Sequence, residues 1–289
     1  MNYRELISAL TPIHGTGEAR AIVRMVIEER FGLSMTDLLL GKDTTLSLEK
    51  RAEFEKIAQR LLTGEPVQYV LGYVDFCGHR FHVTPDVLIP RPETEELVQW
   101  SIQEMKPQTD MKIVDFCTGS GCIATSLALA FPEAQVIGVD ISEGALAVAR
   151  DNARSLGANN VSFIQQDILH LPSDILHLTS DISLITANPP YVRASEAAEM
   201  SATVLDHEPS LALFVPDDDP LLFYRAITRI GRKFLAFNGL IFVELNTRLC
   251  EETRKLFADA GYNDLEIRQD IFGKPRMLKA TMSLPVVRL

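Results

Sequence analysis

From Glu93 onward, short runs of β-branched and aromatic residues alternate with runs whose apolar side chains recur every three or four positions, and few folds accommodate that alternation. The strand-like runs are KIVDF (112–116), QVIGVD (135–140), VSFIQQD (161–167), ISLITAN (182–188), GLIFVEL (239–245), DLEIRQD (264–270) and MLKATMS (277–283). Single strands separated by helical crossovers make βαβ units, and these imply a parallel sheet covered by helices on both faces. Ser142, just ahead of Ala145, Leu146 and Ala149, is a predicted helix N-cap in one of the crossovers. The last two runs lie too close together for a crossover, so they are expected to form an antiparallel hairpin at one edge. An α/β, Rossmann-like sheet of seven strands with an antiparallel last strand is therefore predicted for residues 93–289.

Residues 1–72 read differently. Ile22, Val23, Val26 and Ile27, then Phe54, Ile57, Ala58, Leu61 and Leu62, follow helical spacing without strand signals, which predicts a small helical-bundle domain. Residues 73–92 (YVDFCGHRFHVTPDVLIPRP) change to β-formers and turn residues, predicting a β-hairpin and a Pro-rich linker. With 289 residues, 46% of them hydrophobic, the chain can bury such cores. The N-terminus lacks a signal-peptide pattern, and no segment approaches the roughly 20 apolar residues a membrane span needs. Cysteines 77, 117, 122 and 250 form no paired spacing, so neither disulfides nor a zinc site is indicated. A cytoplasmic protein without a membrane partner is expected. Net charge is −11, and the acidic excess lies almost wholly after Glu93, which argues against a phosphate backbone as a stable partner.

Asp115-Phe116-Cys117-Thr118-Gly119-Ser120-Gly121 stands where the first strand of the sheet gives way to a helix, and small residues there let backbone N–H groups approach a ligand. Tight packing of helix on sheet is the structural alternative. Asp140, at the end of the second strand, points to a nucleoside, because an acidic side chain at that place accepts from ribose hydroxyls. A helix cap ahead of Ser142 is the competing reading. A dinucleotide fits poorly: its G-x-G-x-x-G loop is not matched, since Ile123 and Ala124 follow Gly121 and Cys117 replaces a glycine. S-adenosylmethionine has no phosphate and needs only the shorter loop. By topology, Asp167 and Ile168 at the end of the third strand are placed to meet an adenine, the first as acceptor and the second as packing surface. A solvated strand end is the alternative for Asp167.

Asn188-Pro189-Pro190-Tyr191 ends the fourth strand, beside the switch point where open α/β sheets bind ligands. Consecutive prolines fix φ and remove two backbone donors, leaving carbonyl oxygens to dominate the corner. The Asn188 side-chain oxygen and the Pro189 carbonyl can each accept one hydrogen of a planar NH₂ group, holding its nitrogen for in-line attack on a methyl group. Tyr191 offers a flat face. By itself such a tetrad is only a turn after a strand; beside the glycine loop and Asp140 it is a candidate catalytic group.

These residues, together with GEPVQYVLG (64–72), FCGHRF (76–81), LIPRPETE (88–95), HEPSLAL (207–213) and DIFGKPR (270–276), resemble the PrmC/HemK glutamine methyltransferases over nearly the whole chain. The resemblance implies a seven-stranded class I methyltransferase domain, a β-hairpin connection, and an N-terminal domain that docks the substrate. It implies S-adenosylmethionine as cofactor and peptide-chain release factors as partners, methylated on the side-chain amide of the glutamine in a Gly-Gly-Gln motif. Carried over residue by residue, Cys117, Thr118, Gly119, Ser120 and Gly121 form the cofactor loop. Asp140 binds ribose, Asp167 and Ile168 meet adenine, and Asn188 to Tyr191 hold the glutamine. Glu93 and Thr94 are implied near the methionine end of the cofactor. Two positions depart from the family pattern. Phe116-Cys117 stand where Leu-Gly is usual, crowding the first approach. Glu244-Leu245-Asn246 stand where E-x-G is usual, and asparagine there is expected because it tolerates positive φ.

The competing function is an adenine- or guanine-directed nucleic-acid methyltransferase using the same tetrad on a flipped base, which needs a basic groove. A binding module without turnover is the third reading, and intact Asn188, Asp140 and Gly119 oppose it. The six histidines lack metal-ligand spacing, and Asp217-Asp218-Asp219 reads as a solvated loop between prolines. Cys117 reads as a small loop residue or a reactive thiol. A monomer is expected.

Overall fold

The computed structural model describes residues 1–42, 46–106, 110–171 and 181–282. His177, one of the six histidines, and Ser283, the last residue of the seventh strand-like run, lie outside the described residues. The chain divides into two compact units: Met1–Tyr73 with Ser201–His207, and Val74–Met200 with Glu208–Leu289.

The first unit holds α1 (Tyr3–Phe31), α2 (Met35–Leu39), α3 (Leu48–Leu62) and α4 (Val67–Leu71). Asn2 starts α1 with a reciprocal capping box to Glu5, which satisfies backbone donors the helix cannot. Gly15, with φ 77° and ψ 161°, breaks the helix partway. Ile22, Val23, Val26, Ile27, Phe54, Ile57, Ala58 and Leu61, the positions marked by helical spacing, are buried in one cluster, which Leu6 and Leu10 join. His207 joins this unit, its Nε2 lying 3.3 Å from the Thr63 carbonyl. That return of residues 201–207 has no signal in the local sequence, because a segment of six helical residues follows its tertiary neighbours.

The second unit opens with β1 (Tyr73–Phe76) and β2 (His79–His82), joined by Cys77 and Gly78 at φ 49° and 75°, the double positive φ of a tight hairpin turn. Phe76 and Phe81 meet edge to face and are buried with Leu97 and Trp100, so the hairpin is part of this unit's core. Then follow α5 (Pro92–Glu104), β3 (Lys112–Phe116), α6 (Cys122–Ala130), β4 (Gln135–Asp140), α7 (Glu143–Leu156), β5 (Val161–Gln165), β6 (Ile182–Ala187) and β7 (Val192–Arg193). After α8 (Ala202–His207), which belongs to the first unit, come β8 (Phe214–Val215), α9 (Leu222–Phe234), β9 (Leu235–Glu244), α10 (Cys250–Asp259), β10 (Asn263–Gln269) and β11 (Pro275–Thr281).

Seven strands form one sheet in the order β10-β11-β9-β6-β3-β4-β5. All neighbours among β9, β6, β3, β4 and β5 are parallel, and β11 runs antiparallel to both β9 and β10. The seven-stranded α/β fold with an antiparallel last strand is thus as the sequence predicts, with β11 inserted between β9 and β10. Side chains alternate across the sheet: Ile241 and Val243 enter one core with Tyr224, Ile227 and Phe257, while Phe242 enters the other with Trp100 and Leu127. Strand and helix cores therefore follow from a period of two on the sheet and about 3.6 on the helices.

Chain order reverses around β3, since β4 and β5 lie to one side and β6 and β9 to the other. The carboxyl ends of β3, β4 and β6 open there, and this is where a doubly wound sheet takes its ligand. Phe242, on β9, is fully buried and lies 5.0 Å from the Trp100 ring at 86°. Phe242→Ala should lower unfolding free energy by about 3–5 kcal/mol, which urea denaturation will measure; a loss below about 1 kcal/mol would contradict this packing.

Candidate active site

The loop after β3 is built on a buried carboxylate. Asp115 has no solvent exposure, and its two oxygens accept from the hydroxyls of Thr118 (2.5 Å) and Thr186 (2.8 Å). Burial raises its pKa to about 7, against the opposing pull of those two donors. Above this anchor Cys117, Gly119 and Gly121 all take positive φ, at 56°, 53° and 75°. Cys117 thus occupies the left-handed conformation that a glycine takes without strain. Burial and the charges of Asp140, Asp115 and Asp167 push its thiol well up, which disfavours the thiolate. Gly121 is a packing position, because a Cβ there would lie 2.8 Å from the Ala149 Cβ.

Asp140 accepts from two backbone N–H groups, one of them at the start of the helix that follows. Its Oδ1 accepts from the Ser142 N–H at 2.9 Å, and its Oδ2 accepts from the Gly119 N–H at 2.8 Å. Ser142 itself caps α7, with Oγ accepting from Ala145 N–H. The Gly119 amide that would meet a pyrophosphate is therefore already bonded to a carboxylate, an arrangement that repels phosphate and keeps two carboxylate oxygens at the cavity wall. Asp167 lies past the end of β5, which stops at Gln165; it caps a 3₁₀ turn (Ile168–His170) through the Leu169 N–H and lies 2.7 Å from His170 Nδ1. Ile168 beside it is buried.

These groups line one cavity of about 220 Å³, together with Asn188 and Pro190. Its walls include Cys117, Thr118, Gly119 and Ser120 from the loop, Thr94 from α5, and Leu211 and Ala212 from the HEPSLAL segment. Arg91 reaches across to the buried Glu208 at 2.5 Å, and Glu208 also accepts from the Ile89 N–H, which fixes the wall made by Pro90 and Pro209. Pro189, Tyr191 and Gly121 are not among the lining residues.

Tyr191 instead points its hydroxyl at Glu244 Oε1, 2.8 Å away. Glu244, at the end of β9 and 2% exposed, accepts at Oε2 from Thr94 Oγ at 2.6 Å, and Thr94 Oγ in turn lies 3.2 Å from Asn188 Nδ2. Burial raises the Glu244 pKa, opposed by Thr94, Tyr191 and the charge of Arg276. Asn246 has φ −67°, so tolerance of positive φ is not why asparagine stands there. Its side chain donates to the Tyr191 carbonyl and to Glu196 Oε2, both at 2.9 Å, and accepts from the Arg248 N–H. A glycine could make none of these bonds. Thr94, Glu244 and Asn246 come from distant stretches; the LIPRPETE segment marked the first and the E-x-G departure the other two, but neither signalled the bonds among them.

Residues 4–72 match the family described as PrmC N-terminal domain, and residues 107–241 match a methyltransferase domain. The release factor glutamine methyltransferase of Bacteroides thetaiotaomicron is 44% identical over 94% of this chain and 96% of its own length. The chain belongs to the release factor glutamine methyltransferase family. The Flavobacterium psychrophilum member is 39% identical over 96% of this chain and 97% of its own. Among solved structures, the hMettl16 catalytic domain aligns with a TM-score of 0.55 at 13% identity, covering 70% of this chain and 74% of that one. A Pyrococcus furiosus methyltransferase aligns at 0.50 and 12%, covering 71% and 89%. Both likenesses concern the fold.

The cofactor of this methyltransferase family is S-adenosylmethionine. The cavity suits it chemically: Asp86, Asp140 and Asp167 on the walls favour a cationic ligand, Ile141 and Ile168 add apolar surface, and the phosphate position is filled. No described helix is long and apolar enough to cross a membrane.

Asp115 sets a pH dependence. Its folded pKa is above the ordinary carboxylate value, so its contribution to stability is complete below about 4 and is lost as pH rises through about 7. Between those limits stability should fall by up to about 1.4 kcal/mol per pH unit from this group. Asp115→Asn, measured by urea denaturation from pH 4 to 8, should flatten that slope; an unchanged slope would show that Asp115 ionises freely when folded.

Proposed function

We propose that this enzyme transfers the methyl group of S-adenosylmethionine to the side-chain amide nitrogen of a glutamine in a peptide-chain release factor, the glutamine of its Gly-Gly-Gln motif. It acts as a cytoplasmic monomer without stably binding nucleic acid, and the helical domain of residues 1–72 docks the release factor. The observation that carries the reading is Asn188 at the wall of the same cavity as Asp140 and the loop of Cys117 to Ser120.

Asp140 holds the ribose hydroxyls through lone pairs left over from its bonds to Gly119 and Ser142. Asp167 and Ile168 receive the adenine, and the loop from Cys117 to Gly121 supports the rest of the donor. When bound, S-adenosylmethionine supplies a methyl group on a positively charged sulfur. Asn188 Oδ1 and the Pro189 carbonyl each accept one amide hydrogen of the glutamine, turning its nitrogen toward the donor. An amide nitrogen is a weak nucleophile, because its lone pair is shared with the carbonyl. The two acceptors draw its N–H bonds toward them and return electron density to the nitrogen, an effect strengthened where water is excluded. As the N–C bond forms, the S–C bond of the donor breaks to leave a neutral thioether, and one of the nitrogen's two hydrogens passes as a proton to water. Pro189 and Pro190 contribute by having no N–H to compete for those acceptors.

Labelled S-adenosylmethionine incubated with the enzyme should label a recombinant release factor and leave its Gln→Ala loop variant unlabelled. Comparable label on DNA would favour the nucleic-acid methyltransferase instead. Asn188→Ala should cut transfer at least ~100-fold, as loss of a preorganised polar group does, while calorimetry shows donor affinity within a few-fold of the parent. Retained transfer by that variant would remove Asn188 from the chemistry.

A further inference from the structure

The two ends of the Asn188 carboxamide are opposite in character, and only one presentation of it can hold an NH₂ group. Shape does not distinguish the oxygen from the nitrogen, so the neighbouring donors and acceptors decide. Thr94 Oγ has a single hydrogen. It stands 2.6 Å from Glu244 Oε2 and 3.2 Å from Asn188 Nδ2. An ionised carboxylate only accepts, and Glu244 takes one hydroxyl at each oxygen, Thr94 at Oε2 and Tyr191 at Oε1. The Thr94 hydrogen is thereby committed to Glu244. Toward Asn188, Thr94 can only accept, and only the NH₂ end of Asn188 can donate to it. The carbonyl oxygen is left for whatever enters the cavity.

We infer that Thr94 and Glu244 are positioning residues that fix the sense of the Asn188 carboxamide, so that the site presents an acceptor and selects an amide over a carboxylate. This rests on the reading that Asn188 receives the substrate glutamine. Reversed, Asn188 would set its own NH₂ against the substrate NH₂, two donors without a hydrogen bond. In the observed sense, a glutamate in place of the glutamine meets an oxygen with an oxygen and is rejected. A site built to pair a donor rejects the analogue that lacks it far more strongly than shape alone can. Thr94 is 2% exposed and stands in the first turn of α5, with its N–H bonded to the Arg91 carbonyl, so its hydroxyl has a fixed origin.

The test compares the parent enzyme with Thr94→Val, which keeps the shape and loses the hydroxyl, and Thr94→Ser, which keeps the hydroxyl. Substrates are a recombinant release factor and, as competitor, its variant with glutamate at the modified glutamine. In Thr94→Val, kcat/KM should fall roughly 10- to 100-fold and inhibition by the glutamate variant should strengthen relative to the parent, as a lost polar discrimination predicts. Thr94→Ser should stay within about 3-fold of the parent on both readouts, since the donor and acceptor pattern is unchanged. A folded Thr94→Val with parental kcat/KM and parental rejection of glutamate would overturn the inference, as would a Thr94→Ser as impaired as Thr94→Val. Thr94→Ala replaces the valine variant if that one does not fold. A parent enzyme that leaves the release factor unlabelled sinks the underlying reading instead, before any variant is compared.

Discussion

A carboxylate buried at the end of a β-strand organises the Asn188–Tyr191 side of the site. Glu244 receives Thr94 from α5 and Tyr191 from the Asn-Pro-Pro-Tyr turn, and its backbone carbonyl receives the Tyr224 hydroxyl from α9. Removing an ion from water costs several kcal/mol unless partners replace the lost solvent. Two hydroxyl donors and the nearby charge of Arg276 do so here, and they also fix the three segments that supply them. Burial of the charge and geometry of the site are therefore one physical problem with one solution.

The cofactor side repeats the device. Asp115, also fully buried, holds Thr118 in the loop and Thr186 on the neighbouring strand β6, which joins the loop to the strand that ends at Ala187, one residue before Asn188. The two carboxylates thus brace the loop proposed to meet the methyl donor and the turn proposed to meet the acceptor, at the ends of β3 and β9 on either side of β6. Methyl transfer needs those two partners in line and close, and a rigid sheet edge supplies that registration better than mobile loops. Asn246 adds a brace on the far side, tying the Tyr191 carbonyl to Glu196.

The Cys117 position shows how such a site accommodates departures. A non-glycine residue at φ 56° carries some strain, and the tightly bonded surroundings hold it there. Its sulfur packs among apolar neighbours of the core. The thiol gains no reactivity from this setting, since burial among three carboxylates opposes ionisation.

The sequence by itself determined the class of fold, because a period of two in the strands and of three to four in the helices dictates which faces must be buried. It also located the loop at Cys117–Gly121, Asp140, and the turn at Asn188–Tyr191, since these are contiguous motifs at strand ends. Hydrogen-bond direction was not legible there. Thr94 and Glu244 are 150 positions apart, and nothing local to either says that one hydroxyl hydrogen joins them. The same holds for Tyr191, whose hydroxyl serves Glu244, and for Asn246, whose side chain works at an ordinary negative φ. Only the tertiary structure decided which donor meets which acceptor, because a polar group buried in a folded protein must take its partner from whatever the fold brings within about 3 Å.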